Sequence, residues 1–270
     1  MHRVFLIAAL LCVAPQAQAQ PRRIVSLDFC ADQYVLRLAD RDQITAVSRG
    51  AGAIDSYERA RARGLARVRP TLEEVATLHP DLVVRAFGGG PTLTAALARR
   101  GARVLTVGWS ETIEGVIADV RRAARAFGQA ERGEAFAHAL EARRAALTHM
   151  RPARPVRALY VTPGGVTAGR GTLVDAILRE AGAENSESGA GWRPAPLERL
   201  ARAAPDRLVL SFFDLPAAQR NAWSAARHPV LRRLVRATPA TTWPAAWTAC
   251  PTWAALDAAE ALQRDIVARE

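Results

Sequence analysis

The sequence predicts an α/β protein made of two similar units. Three observations carry this. Short apolar runs alternate with helical patterns up to about residue 107 and again from residue 156. Between residues 110 and 150 that alternation lapses into helical sequence. Finally, RPTLEEVATLHPDLVV recurs later as APLERLARAAPDRLVL. Strand-helix alternation calls for mostly parallel sheets covered on both faces.

The elements follow in order. Residues 24–27 (IVSL) form a short apolar strand. Asp28 caps the helix after it, whose Tyr34, Val35 and Leu38 share one side. Residues 44–47 are a second strand, and residues 50–69 a polar, Arg-rich connection. Thr71 opens a helix with Glu74 three positions on, a capping box. That helix closes at His79-Pro80, and residues 81–84 (DLVV) make the next strand. Residues 88–90 (GGG) are a loop, residues 93–100 a helix with Gly101 as C-cap, and residues 103–107 a further strand. A helix begins at Ser110, with Ile113, Val116, Ile117, Val120 and Phe127 at helical spacing. Gly128 interrupts it, and a second helix runs to about Met150. After a proline-bearing break at residues 151–155 the pattern resumes. Residues 156–161 are a strand, and Thr172 caps a helix ending at Gly182. Leu197 starts a helix, residues 208–211 are a strand, and Thr252 starts the terminal helix.

The repeat is in register. Leu72, Glu73, Ala76, Pro80 and Asp81 match Leu197, Glu198, Ala201, Pro205 and Asp206, all at one offset (197 − 72 = 206 − 81 = 125). Each copy is a helix that runs through Pro-Asp into a buried strand. Two similar lobes facing each other make a cleft, and clefts between domains are where small ligands bind.

The amino terminus reads as an export signal. His2 and Arg3 precede ten apolar residues, 4–13, and Ala17-Gln18-Ala19 supplies a small-x-small cleavage site. The expected mature chain starts near Gln20, and the apolar run falls short of the ~20 residues that span a bilayer. Leu11 before Cys12 argues against a lipid anchor. A periplasmic chain that is not membrane-inserted is therefore expected. The formal charge is +11, all of it from arginine. With no basic run, finger or aromatic-basic motif, nucleic acid is not an expected partner; a positively lined pocket for an anionic ligand is. The two cysteines of the mature chain, Cys30 and Cys250, form either a disulfide or two buried thiols.

RIVSLDFCADQYVLRLAD, LEEVATLHPDLVV, GRGTLVDAILREAGAENS, GWRPAPLERL and PDRLVL, in this order and spacing, resemble the periplasmic binding proteins for vitamin B12, ferric siderophores and haem. The resemblance covers residues 22–270. It implies two α/β lobes joined by a long interlobe helix, with the ligand cleft between them. The expected divisions are residues 1–19 (signal), 20–127 (first lobe), 128–151 (interlobe helix) and 152–270 (second lobe). It implies a monomer that works with an ABC permease and its ATPase. No resident cofactor is expected, the cargo itself being a small-molecule metal chelate: a corrinoid first, a ferric siderophore or haem next. It also gives Glu73 and Glu198 a role, docking onto arginines of the permease. The macrodipole also favours acids in a helix first turn, by about 0.3–1 kcal/mol, and the two roles are compatible.

In such sheets ligands bind beyond the carboxyl ends of the strands. That puts Asp28, Phe29, Cys30, Arg85, Phe87, Trp109, Phe212 and Phe213 at the cleft, joined by Arg170, Trp192, Arg193 and Trp243 from neighbouring loops. Aromatic walls suit a flat macrocycle or aromatic chelate, and arginines suit carboxylates or phosphate. Near the cleft, Cys30 and Cys250 would permit a disulfide or thiolate ligation of a metal. Tyr57 is the residue to test as an axial ligand for haem. Other classes fare worse. Gly169-Arg170-Gly171 lacks the third glycine of a dinucleotide fingerprint, which has Val174 instead. No Gly-x-Ser-x-Gly motif is present. His138 and His149 lie about 16 Å apart on one helix, too far to share a metal, so no metal site is expected. A non-transport sensor on the same scaffold is the remaining alternative to an importer component.

Overall fold

The computed structural model describes residues 20–216 and 228–269; the expected signal and its cleavage site lie outside them. The first lobe contains β1 (Ile24–Ser26), α1 (Phe29–Leu38), β2 (Ile44–Ser48), β3 (Arg67–Val68), α2 (Leu72–Ala76), β4 (Leu82–Arg85), α3 (Gly90–Arg99), β5 (Arg103–Thr106) and α4 (Ile113–Ala126). Helix α5 (Ala130–His149) crosses to the second lobe. There follow β6 (Val156–Val161), β7 (Val166–Ala168), α6 (Leu173–Glu180), β8 (Ala183–Asn185), β9 (Trp192–Pro194), α7 (Leu197–Arg202) and β10 (Arg207–Ser211). The chain ends with α8 (Pro229–Ala237), β11 (Ala240–Trp243), α9 (Ala245–Thr248) and α10 (Ala254–Val267).

Strand order is β3-β2-β1-β4-β5 in one sheet and β11-β10-β6-β8 in the other, and every pairing within them is parallel. Set β1 on β6, β2 on β8, β4 on β10 and β5 on β11, and the two orders coincide. The sequence repeat lands on this equivalence. Asp81 accepts the Arg22 and Arg23 amides at 2.7 and 3.1 Å, and its own amide donates to the Arg23 carbonyl. Asp206 accepts the Arg157 amide at 2.9 Å, and its amide donates to the Arg157 carbonyl. Each aspartate ties the strand it introduces to the central strand of its sheet. Between the lobes, Tyr34, Val120, Leu140, Tyr160 and Trp253 belong to one continuous apolar cluster.

Some local expectations change. Thr71 does accept the Glu74 amide, but the Glu74 carboxylate turns to Arg69 rather than back to the cap. The capping box is therefore half made. The glycine loop is the start of α3 itself, with Gly89 left-handed at the cap. Strands β3, β7, β8, β9 and β11 and the short α8 and α9 were not expected. Most of these strands have only two or three residues and hold no apolar run long enough to show a period.

Candidate functional site

The carboxyl ends of both sheets converge. Cys30, one residue into α1, packs with Phe29 and Ala86 of the first lobe and with Cys250, between α9 and α10 of the second. The two cysteines are joined as a disulfide, their Cα atoms 5.3 Å apart. Beside it, the Tyr34 hydroxyl donates to the Pro251 carbonyl at 3.0 Å, and the Tyr34 ring meets Trp253 edge-on at 5.3 Å. This seam joins the two lobes at the carboxyl ends of their sheets.

On the first lobe, Asp28 organises the wall. Its Oδ1 caps α1 through the Ala31 amide at 2.9 Å. Its Oδ2 accepts the amides of Ala86, Phe87 and Gly88 at 2.7, 3.1 and 2.8 Å. Gly88 is needed at this approach, because a Cβ there would lie 2.7 Å from the Leu27 carbonyl oxygen. The loop so held presents Phe87, 49% exposed and edge-on to Phe29 at 5.7 Å. Trp109, 66% exposed, is anchored by its indole N–H to the Ala86 carbonyl at 2.7 Å. Arg85 ends β4; one of its terminal nitrogens donates to the Phe87 carbonyl, while its Nε is buried without a partner among the described residues.

On the second lobe, β7 and β9 pair antiparallel and carry Trp192, 57% exposed, against Tyr160 at 6.0 Å. Arg193 follows on β9, with Glu187 3.8 Å away; Glu187 is buried and also accepts from Arg199 and the Gly189 amide. Arg170 is exposed and donates from Nε to the Ser188 carbonyl, its outer nitrogens without a partner among the described residues. Phe212 and Phe213 are half-buried just after β10. Phe212 has φ +66, a left-handed backbone that costs a non-glycine residue roughly 1–3 kcal/mol.

Four expectations need correction. Asp28 offers no free carboxylate, because four backbone amides occupy it. Trp243 is fully buried against Tyr160 and is core, not wall. Cys30 and Cys250 cannot act as thiolates while joined. The Tyr57 hydroxyl is hydrogen-bonded to Asp257 of α10, which Arg143 of α5 also holds. The residues missed were those that fasten the lobes: Arg143, which also pairs with Glu260, and Arg144, which pairs with Glu114 of α4 and Glu180 of α6. Nothing in the local pattern of an Arg-rich helix marks them. A depression of about 890 Å³ beside Arg144, Arg151 and Glu180 lies at the amino ends of β6 and β8, away from the carboxyl ends, and Arg144 and Glu180 are already paired there. We read it as part of the ion-pair seam and place the candidate site at the cleft.

Residues 24–220 match the family described as periplasmic binding protein. A cobalamin-binding protein of Halobacterium salinarum is 29% identical over 172 residues, which make up 62% of this chain and 46% of that protein. The chain thus spans about half the length of the curated relatives it matches. The periplasmic haem-binding protein BhuT, solved with two haems, superposes with a TM-score of 0.71 at 26% identity, over 92% of this chain and 98% of that one. The vitamin B12-binding protein BtuF of Vibrio cholerae shares the fold, with a TM-score of 0.69 at 22% identity, over 93% and 98% of the two chains.

Proposed function

The chain belongs to the periplasmic binding protein family, and from that premise we propose that it is the solute-binding component of an ABC importer, taking up a metal chelate between its lobes and handing it to a membrane permease and its ATPase. It does so in the periplasm, and no bond of the cargo is made or broken. A corrinoid stands first, as the Halobacterium relative is named for cobalamin; a ferric siderophore or haem stands next. The observation that carries the reading is the exposure of Phe87, Trp109 and Trp192 at strand ends where the two lobes meet. Large aromatics left open to water at such a place suit a broad, flat partner. Lobes at residues 20–127 and 152–270, joined by α5, would close on it with little travel.

Glu73 and Glu198 support the handover. Both are exposed in the first turn of their helices, both occupy the same repeat position, and neither has an ion pair among the described residues. One free carboxylate per lobe is what docking onto two permease arginines requires. The test is tryptophan-fluorescence titration with cobalamin, cobinamide, haem and ferric siderophores, followed by uptake assays of Glu73→Arg and Glu198→Arg. Saturable sub-micromolar quenching by one class is expected, with affinity unchanged and uptake lost in the charge reversals. Uptake that survives both reversals would favour a non-transport sensor.

A further inference from the structure

Resting on that reading, we infer that the cargo arrives with its metal already coordinatively saturated and is held by its outer surface, through aromatic and guanidinium contacts, with no bond from protein to metal. The ground is where this chain keeps its donor atoms. Beyond residue 19 it has two cysteines, three tyrosines, four histidines and one methionine, and residues 217–227 contain none of these types.

The donors nearest the cleft are engaged or enclosed. Cys30 and Cys250 are oxidised to a disulfide. Tyr34 is fully buried and donates to Pro251. Tyr160 is enclosed rather than paired: it is fully buried beneath Trp192 and Trp243, its hydroxyl without a hydrogen-bond partner among the described residues. Tyr57 is held by Asp257, and burial, together with that hydrogen bond, pushes its phenol well above the ordinary tyrosine range. A phenolate, the form that binds ferric iron, is therefore disfavoured there. The other donors stand elsewhere. His79 lies between α2 and β4, and His149 and Met150 end α5 ahead of β6, so all three sit at the opposite edges of the sheets. His138 pairs with Glu134 on α5. Only His228 is at the cleft edge, because α8 runs antiparallel to β11 and starts there. It is exposed, its Nδ1 accepts the Val230 amide, and no metal-binding group of three or more His, Cys, Asp or Glu forms among the described residues.

Three carboxylates at that edge already hold partners, although Asp214 is exposed, as is Glu111 in the loop after β5. Asp28 holds four amides, Asp214 accepts the Ala245 amide, and Glu187 holds Arg199 and Gly189. Beside these two acids, the large groups that face outward are apolar or cationic: Phe87, Trp109 and Trp192 with Arg170 and the partly open Arg85. Such a surface recognises the apolar face and anionic rim of a closed complex. Its exposed carboxylates, Glu111 and Asp214, belong to no metal-binding group of three or more donors among the described residues.

The experiment titrates the purified protein with dicyanocobinamide, whose axial positions are both filled, with a ferric tris-hydroxamate, and with ferric haem. Fluorescence and the visible spectrum are read together for wild type, Tyr57→Phe, His228→Ala and Trp109→Ala, with folding checked by circular dichroism. Expected are saturable binding of a closed chelate with its visible spectrum unchanged, affinities within about twofold in Tyr57→Phe and His228→Ala, and a loss of about tenfold in Trp109→Ala. Ferric haem that binds with a shifted Soret band, reversed by Tyr57→Phe or His228→Ala, would overturn the inference and leave the importer reading standing. Failure of every chelate to bind would remove both.

Discussion

Asp32 shows how the cleft end of the first lobe is built from inward-facing acids. Its carboxylate is fully buried and accepts the Ser48 amide at 3.0 Å and the Ser48 hydroxyl at 2.6 Å. Burial outweighs those hydrogen bonds and raises its pKa to about 6. A free aspartate titrates near pH 4, so the folded chain binds this proton more tightly than the unfolded chain. Its contribution to stability is full below about pH 4 and is lost as pH rises through about 6, on the order of 3 kcal/mol by neutrality. Asp32→Asn is expected to flatten the stability profile between pH 4 and 7 and to raise the melting temperature at pH 7. Melting scans across that range check it; an unchanged profile would place the titration elsewhere. Asp28 was legible as a helix cap from its position before FCADQ, and it is one. Its three bonds to the 86–88 loop were not legible, because they join atoms 58 to 60 residues apart.

At the scale of elements, the connection between lobes depends on close helix packing. Helix α5 lies on α4 so tightly that a Cβ on Gly133 would stand 2.2 Å from the Ala124 Cβ. Arg121 of α4 also reaches Glu134 and Glu141 of α5 at 2.8 Å. Alanine is about 1 kcal/mol better than glycine within a helix, yet overpacking costs about 1–3 kcal/mol. Gly133→Ala is accordingly expected to destabilise by about 1–2 kcal/mol, and adding Ala124→Gly to restore it. Urea unfolding measures both; a stabilised single variant would mean that the helices stand further apart. Helix α4 was readable because its apolar residues recur at helical spacing, and α5, which has no such stripe, from its run of Ala, Glu and Arg between Gly128 and the proline-bearing break. The short strands were not. β9 is three exposed residues, Trp192–Pro194, and exists because β7 pairs with it across an intervening helix and strand.

For the whole molecule, the question is what keeps two lobes at a fixed span. The Cys30–Cys250 bond closes 220 residues of chain across the interlobe seam, and Tyr57, Asp257 and Arg143 fasten a second point. Cross-linking so long a loop constrains the unfolded chain, so Cys30→Ser with Cys250→Ser is expected to lose about 4 kcal/mol. Non-reducing thermal unfolding tests it; a loss below about 1 kcal/mol would show that packing alone holds the seam. By itself the sequence determined the class, the two units, the family likeness and the equivalence of Glu73 with Glu198, because periodicity, Pro-Asp turns and a constant offset are properties of order along the chain. The tertiary structure alone decided which of the candidate cleft residues are exposed. Trp109 and Trp192 are open while Trp243 is core, and Asp28 is a staple rather than a ligand. Those outcomes turn on which neighbour each side chain meets, and the neighbours come from parts of the chain that only folding brings together.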